Sequence, residues 1–219
     1  MTYTVKELFY TLQGEGAQAG RAAVFCRFAG CNLWSGREED RAAAECTFCD
    51  TDFVGTGGPG GGKFASAEKL ALAARALWDN EADDSGIPYI VCTGGEPLLQ
   101  LDAPLIQAFH AKGFEVAVET NGTLPAPADL DWICVSPKRL DKLEQTSGHE
   151  LKLVYPQKDI SPEDVAHLDF EYFFLQPMDG IGADAETTRL ANTQKVVEYC
   201  RRHPKWRVSL QTHKILDIP

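Results

Sequence analysis

Segments with strand character alternate with segments of helical periodicity along almost all of this chain. The strand segments are short and apolar, as at 22–28 (AAVFCRF) and 89–93 (YIVCT), whereas apolar residues recur every three or four positions at 66–77. Such alternation predicts a mostly parallel sheet with right-handed crossovers. A closed eightfold barrel takes about 250 residues, and this chain has 219. The sequence therefore predicts an α/β fold, a partial, open β/α barrel of roughly six parallel strands.

The same patterns place the remaining elements. Ser66 and Ser161 are suited to cap helices, and the second is followed by proline and two acidic residues. Because ligands bind at the carboxyl ends of parallel strands, we expect the polar residues that follow each strand to share one rim. Further strands are predicted at 115–119, 132–135, 150–154, 172–176 and 207–211, and helices at 101–112, from 162, and at 185–202.

The composition excludes several classes of protein. With 21 basic and 32 acidic residues the net charge is −11, and binding to nucleic acid needs basic patches that the sequence does not show. No apolar run approaches the about 20 residues of a membrane helix, and the first residues lack the pattern of a signal peptide. We therefore expect a cytoplasmic protein with no nucleic acid or membrane partner, built as a single domain over residues 1–219.

Three of the seven cysteines indicate a metal site. Cys46 and Cys49 form a C-x2-C pair, and a loop of 14 residues, 32–45, separates them from Cys31. Thiolates select zinc, copper(I) or iron–sulfur clusters, and structural zinc normally has four protein ligands, so this set leaves a position open. Three unconnected cysteines, or zinc shared with a distant histidine, are the alternatives. The other four, in apolar segments, are expected to be buried and structural: Cys26, Cys92, Cys134 and Cys200.

Two glycine-rich segments differ in what they indicate. Gly94-Gly95-Glu96-Pro97 follows a predicted strand directly, and its glycines permit close backbone approach while Glu96 offers an acceptor for an ammonium group. The stretch 55–62 is interpreted as a flexible loop, because no predicted strand and helix flank it as a nucleotide-binding motif requires. Together with the cysteines, the first segment favours an iron–sulfur cluster that keeps one iron for a small ligand.

Eight short motifs carry a resemblance to a known family. The chain resembles the radical S-adenosylmethionine (SAM) superfamily and, within it, the 7-carboxy-7-deazaguanine synthases, over almost its whole length. The superfamily pattern is C-x3-C-x2-C, and the longer first spacer here, an inserted cluster loop at about 32–45, is a departure that some of these synthases share. The motifs are FYTLQGEG (9–16), FCRFAGCNL (25–33), CTFCDT (46–51), TGGEP (93–97), ETNG (119–122), SPK (136–138), LQP (175–177) and QTHK (211–214).

The resemblance implies two cofactors and the residues that hold them. Cys31, Cys46 and Cys49 would bind three irons of a [4Fe–4S] cluster, and the fourth iron would bind the amino and carboxylate groups of SAM. Glu96 would lie near the ammonium group of SAM. The other implied contacts to SAM are Phe48, Cys49, Asp50, Gly95, Ser136, Pro137, Lys138, Gln176, Pro177, Met178 and Asp179.

The resemblance also implies a substrate, 6-carboxy-5,6,7,8-tetrahydropterin, which would lose ammonia to give 7-carboxy-7-deazaguanine while SAM is regenerated. Arg27 would pair with the substrate carboxylate, Thr51 would ligate a bridging Mg²⁺, and Pro219 would offer its carboxylate to amine donors. The pterin edge would be read by Leu12, Gln13, Gly14, Glu15 and Thr93. A flavodoxin-type electron donor and a homodimer are implied as partners.

Other interpretations remain open from the sequence. An activating enzyme that places a glycyl radical on a partner protein would use the same cofactor, and a zinc-binding interaction module would use the cysteines without catalysis. Arg27 and Lys138 could be solvated cations, residues 13–16 a plain turn, and the charged run at 37–41 a solvated excursion.

Overall fold

One open sheet organises the computed structural model of the protein, which describes residues 1–83, 85–180 and 185–219. Within these residues the sheet has nine strands, in the order β3-β1-β2-β4-β5-β6-β7-β8-β9. They are β1 (Tyr3–Leu12), β2 (Ala22–Phe28), β3 (Gly62–Phe64), β4 (Tyr89–Gly94), β5 (Glu115–Thr120), β6 (Trp132–Val135), β7 (Ser147–Tyr155), β8 (Asp169–Pro177) and β9 (Trp206–Val208).

Seven neighbouring strands, β2, β4, β5, β6, β7, β8 and β9, run parallel to one another. The β1–β2 and β1–β3 pairs are antiparallel. The sheet does not close on itself, so the predicted open β/α architecture is confirmed, with seven parallel strands rather than roughly six. The helices are α1 (Ala67–Glu81), α2 (Ala103–His110), α3 (Pro162–Val165), α4 (Ala185–Arg202) and α5 (Thr212–Leu216).

Two apolar clusters hold the helices against the sheet. The first lies under α1 and α2, where Leu105, Ile106 and Phe109 are fully buried. Burial of each such side chain contributes about 1.5–3 kcal/mol. The second cluster lies between the later strands and α4, around Leu151 and Val196. Packing of the helices on the sheet leaves the carboxyl ends of the strands accessible.

The antiparallel edge of the sheet differs from the sequence prediction. β1 was not predicted as a strand, and the glycine-rich stretch interpreted as a flexible loop is bonded along it. Gly58 N donates to the Lys6 carbonyl at 3.0 Å, and Leu8 N donates to the Pro59 carbonyl at 2.8 Å. A Cβ on Gly60 would overlap the Leu8 carbonyl oxygen. The stretch therefore covers the edge of β1, where unpaired backbone groups would otherwise be exposed.

The cysteines outside the triplet behave largely as predicted. Cys26, Cys92 and Cys134 are buried in strands, and Cys200 on α4 is partly buried. None of the helices in the described part of the chain combines the length and apolar character that crossing a bilayer requires.

Candidate active site

A cleft of about 380 Å³ opens at the carboxyl ends of the parallel strands. Its lining comes from segments that are far apart in sequence, from β1 to the last residue, so the predicted common rim is present. Three predicted site residues, Cys31, Glu96 and Pro137, lie outside the lining. The predicted residues that line the cleft are Leu12, Gln13, Gly14, Glu15, Arg27, Cys46, Phe48, Cys49, Asp50, Thr51, Thr93, Gly95, Ser136, Lys138, Gln176, Pro177, Met178, Asp179 and Pro219.

The loop after β4 packs directly on the chain that leads from β2 to the first cysteine of the triplet. Glu96 N donates to the Gly30 carbonyl at 2.9 Å. Gly94 has a φ of 141°, and a Cβ on Gly95 would overlap the Gly30 carbonyl oxygen and come within 2.7 Å of Cys31 Cβ. Only residues without a side chain fit here. The close backbone approach that the sequence predicted is therefore made to the cysteine segment itself.

Glu96 is 1% exposed, and its carboxylate ties this loop to the end of β5. Oε1 accepts hydrogen bonds from Leu98 N at 2.9 Å and Thr120 Oγ1 at 2.8 Å, and Oε2 accepts one from Asn121 N at 2.8 Å. Burial raises the pKa of Glu96, although the three donors oppose that shift. Because Oε2 has a single donor among the described residues, it keeps acceptor capacity.

The opposite wall of the cleft contains a buried ion network. Lys152 Nζ on β7 lies 2.5 Å from Glu15 Oε2 and 3.5 Å from Glu119 Oε1, and Gln13 Nε2 donates to Glu119 Oε1 at 2.9 Å. Burial opposes the charge on Lys152, but Glu119 and Glu15 outweigh it and raise the pKa of Lys152. Burial would likewise raise the pKa of Glu15, but the Lys152 ammonium lowers it. The network thus holds Glu15 ionised.

Two amide side chains orient the same carboxylate. Glu15 Oε1 accepts from Gln176 Nε2 and from Gln211 Nε2, each at 3.0 Å. Ser209 Oγ in turn donates to Gln176 Oε1 at 3.0 Å, which fixes the orientation of that amide. Glu15 is therefore a positioned acceptor at the cleft rather than part of a plain turn.

Arg27 lies within the cleft and already faces a carboxylate of the protein. Its Nε donates to Glu7 Oε1 at 2.6 Å, and the two side chains are 20% and 22% exposed. Close by, the Thr51 carbonyl lies 3.9 Å from Cys49 Sγ. Over residues 1–83, 85–180 and 185–219, no hydrogen bond uses the Thr51 hydroxyl. One cation and one unengaged hydroxyl thus stand beside the cysteine turn.

The last residues of the chain close another side of the cleft. Lys214 Nζ donates to Asp50 Oδ2 at 2.8 Å and to Asp179 Oδ2 at 2.6 Å. Burial opposes the charge of Lys214, but these carboxylates raise its pKa. Thr11 Oγ1 donates to the Pro219 carbonyl at 2.8 Å, which brings the final residue to the lining.

Of the three thiols of the triplet, those of Cys46 and Cys49 lie at one edge of the cleft, and Cys31 lies outside the lining, against Gly95. All three are free of disulfides. Burial raises the pKa of Cys31, an effect that the Leu33 N–H opposes by donating to its Sγ at 3.5 Å. Burial also raises the pKa of Cys46, whereas the Lys138 ammonium lowers it. A cation placed this way favours the thiolate that metal binding requires.

The segment after β6 positions that cation. Lys138 Nζ donates to Ser136 Oγ at 2.8 Å and lies 5.2 Å from the centre of the Phe48 ring. The Pro137 carbonyl points away and accepts from Gln157 Nε2 at 3.3 Å. Lys138 is therefore held over the cysteine turn and is not a solvated cation.

The comparison with known proteins identifies the family. The profile of the radical SAM superfamily matches residues 41–153. The 7-carboxy-7-deazaguanine synthase of Bordetella pertussis is 65% identical and that of Caulobacter vibrioides 64% identical, each over 100% of both chains. The chain belongs to the 7-carboxy-7-deazaguanine synthase family. The crystal structure of QueE from Escherichia coli is 26% identical, with a TM-score of 0.66 over 96% of this chain and 94% of that chain.

Membership of the radical SAM superfamily implies a [4Fe–4S] cluster and SAM, and the donor set of this synthase-family chain fits them. In the described ranges, no three His, Cys, Asp or Glu side chains form a group that could hold one metal ion. A [4Fe–4S] cluster takes each cysteine on a different iron, so three neighbouring thiols that do not converge on one point are compatible with it. The superfamily profile starts after Cys31, as the long first spacer leads one to expect.

Several residues at the cleft of this family member were missed by sequence reasoning. Lys152 and Glu119 are charges next to apolar residues in strands of a parallel sheet, and buried charges are rare unless they are paired. That signal was available at LKLV (151–154). No local pattern marked Glu7, whose place at the cleft depends on the bulge in β1. His213 and Lys214 lie in the QTHK motif but were given no role, because their places at the cleft depend on α5.

Proposed function

We propose that this protein converts 6-carboxy-5,6,7,8-tetrahydropterin to 7-carboxy-7-deazaguanine with loss of ammonia, as a radical SAM lyase that uses SAM catalytically. The observation that carries the proposal is one cleft whose lining includes two of the three cysteines, Cys46 and Cys49, and all of the implied substrate contacts. Full-length identity of 56–65% to several named synthases supports the same reaction.

Cys31, Cys46 and Cys49 would hold the cluster, and the residues around them would hold SAM. When both are bound and the cluster is reduced, the cluster and SAM would supply a carbon-centred radical for hydrogen abstraction from the substrate. Glu96 Oε2 has acceptor capacity for an ammonium group, and Lys138 would contribute a cation for a carboxylate. The remaining SAM contacts are proposed at Phe48, Asp50, Gly95, Ser136, Pro137, Gln176, Pro177, Met178 and Asp179.

The substrate would lie between Arg27 and the ion network. The guanidinium of Arg27 matches the geometry of a carboxylate, and its present partner, Glu7, is itself a carboxylate that the substrate would replace or share. Glu15 is ionised and oriented, so it can accept hydrogen bonds from the amino and ring N–H groups of a pterin. Leu12, Gln13, Gly14, Thr93 and Pro219 are proposed as further contacts along the same wall.

Mg²⁺ is proposed at Thr51. Its hydroxyl is unengaged in the part of the chain described, and a hard cation prefers oxygen ligands. Thr51 lines the same cleft as Arg27 and stands between Asp50 and Asp52 in the sequence, so a cation here would lie in the cleft that would hold the substrate carboxylate. The bound Mg²⁺ would then fix the orientation of the pterin ring of the substrate.

The remaining features of the proposal concern the setting of the enzyme. We propose that one domain spans residues 1–219 with an inserted cluster loop at 32–45, that the enzyme acts in the cytoplasm as a homodimer, and that a flavodoxin-type protein delivers the electron. These assignments are the ones that the resemblance of the sequence to the family implies.

The test is an anaerobic assay of the full chain with SAM, Mg²⁺, dithionite and carboxytetrahydropterin, with iron, sulfide and zinc measured on the same sample. The expected result is four irons and sulfides per active chain, and 7-carboxy-7-deazaguanine formed without net loss of SAM. A sample that cleaves SAM but makes no deazapurine would favour an activating enzyme. Zinc without iron would contradict radical chemistry altogether.

A further inference from the structure

The segment between Cys31 and Cys46 folds back over the turn that carries the second and third cysteines. Leu33 and Trp34 are buried, at 4% and 8% exposure, and Trp34 packs edge-on against Phe53 with ring centres 5.6 Å apart. A 3₁₀ segment at 38–43 carries the charged run. Residues 37–40 of the run are exposed, as expected for a solvated excursion, whereas Arg41 is partly buried beside these apolar residues.

Arg41 is the side chain through which this segment reaches the cysteine turn. Its Nη1 donates to the carbonyl oxygens of Thr47 and Cys49, each at 3.0 Å. Its Nε donates to Glu38 Oε1 at 2.7 Å, and its guanidinium carbon lies 4.2 Å from the centre of the Trp34 ring. Glu38 therefore holds the edge of the guanidinium group and the Trp34 ring holds its face, while the group binds two carbonyls of one turn.

We propose that Arg41 is a positioning residue that fixes the Cys46–Cys49 turn for the cluster and, through its charge, raises the reduction potential of that cluster. The inference rests on the cluster assigned under the proposed function. The two carbonyls lie on either side of Phe48, so a shared donor sets the spacing of the thiols around it. A positive charge beside the ligands favours the more negative, reduced cluster.

The long first spacer then has a structural role, because it contains both Arg41 and Trp34, on whose ring the guanidinium group stacks. The chain offers a matched control on the same loop. Arg37 is exposed, and among the contacts of residues 1–83, 85–180 and 185–219 it bonds only through its backbone N–H and carbonyl.

The test compares Arg41→Gln, Arg41→Lys and Arg37→Gln with the wild-type chain after anaerobic cluster reconstitution. One readout is the rate of iron release to a chelator, and the other is the midpoint potential from a titration followed by electron paramagnetic resonance. Loss of two charge-assisted hydrogen bonds predicts about tenfold faster iron release from Arg41→Gln. Its potential should be more negative, and Arg37→Gln should match the wild type in both readouts.

Arg41→Lys separates geometry from charge. A lysine keeps the charge but lacks the planar fork, so iron release should be faster than in the wild type while the potential stays close to it. Equal iron release and equal potentials in Arg41→Gln and Arg37→Gln would overturn the proposal. If Arg41→Gln does not fold, wild-type iron release in Arg41→Lys overturns the positioning role. A wild-type chain that takes up no iron would instead contradict the proposed function itself.

Discussion

The two walls of the cleft are built by different physical means. The cysteine wall consists of Cys46 and Cys49, which line the cleft, together with residues 28–31 and 94–97. These two segments are held by backbone atoms in close contact, and Gly94 and Gly95 leave no room for a side chain. The ion wall, which consists of Gln13, Glu15, Glu119 and Lys152, is held by buried charges and their hydrogen bonds. The first wall is therefore sensitive to added volume and the second to a change of charge.

This difference matches what each wall is proposed to do. A cluster and the SAM bound to it need fixed distances, which backbone packing provides because it has few alternative arrangements. Recognition of a polar pterin needs donors and acceptors in a defined ionisation state, which a buried ion pair provides. Changes to one wall should leave the properties of the other largely intact, and the following predictions test that separation.

The largest effect is expected from Cys31→Ala. Removal of one of three thiolates should prevent stable binding of the cluster and abolish turnover, which iron analysis and product formation would measure. Cys200→Ala, a partly buried cysteine on α4 away from the cleft, is the control and should retain both. Normal iron content in Cys31→Ala would break the assignment of the cysteine wall.

Lys152→Met is expected to have the next largest effect. Loss of the cation leaves Glu15 and Glu119 buried without it, and breaking a buried pair in this way typically costs about 3–5 kcal/mol. Denaturant unfolding should show that loss for Lys152→Met and little change for the exposed control Lys69→Met. A loss of less than about 1 kcal/mol, the range of surface pairs, would show that the ion wall does not depend on charge.

The contribution of this network should also depend on pH. The folded-state pKa of Glu15 is lowered from its usual 4.5, so the ionised group stabilises the fold above that value, and the contribution is lost as the pH falls through the folded-state pKa. The gap in unfolding free energy between the wild type and Lys152→Met should therefore narrow as the pH falls below the usual value of 4.5. If the difference in unfolding free energy widened on acidification instead, the pKa of Glu15 would be raised rather than lowered in the folded protein.

Gly95→Ala tests the cysteine wall by volume alone. The added methyl group would overlap the Gly30 carbonyl oxygen, and overpacking of this kind costs about 1–3 kcal/mol. The Gly57 position has open space around a Cβ, so Gly57→Ala is the control. Gly95→Ala should lower thermal stability and iron retention while the binding of a substrate analogue to the ion wall is retained. Equal stability of the two variants would contradict the packing argument.

Arg27→Ala should give the smallest of these effects and should leave the cluster intact. Loss of a charge-assisted contact predicts a rise in KM of about 10–100-fold, measured in steady-state assays. Arg21→Ala is the matched control, because Arg21 precedes the same strand but pairs with Glu115 outside the lining of the cleft. An unchanged KM in Arg27→Ala would show that Arg27 does not bind the substrate.

Much of the parallel sheet could be predicted from the sequence because its strands are short, apolar and bounded by turn residues. β1 could not, and the reason is physical. A bulge between Val5 and Glu7 interrupts the twofold alternation, so its buried residues fall at Tyr3, Val5, Leu8 and Thr11. That spacing resembles helical periodicity as much as that of a strand.

The cleft was predicted better than the contacts behind it. The motifs located most of the residues that line it, because all of them except CTFCDT lie at or just after the end of a strand. The pairing of Lys152 with Glu15 joins residues 137 positions apart. The hydrogen bonds of Arg41 to the Thr47 and Cys49 carbonyls depend on how the inserted loop folds back. Such contacts arise from tertiary packing and leave no periodic signal in the sequence.

The central claim is that the cysteine wall holds a cluster with one iron open to SAM. Electron paramagnetic resonance of the dithionite-reduced protein, recorded before and after addition of SAM, tests it most directly. The account predicts a [4Fe–4S]⁺ signal that changes its g-values when SAM binds. A signal that SAM leaves unchanged, or a protein that contains zinc and gives no signal, would contradict it.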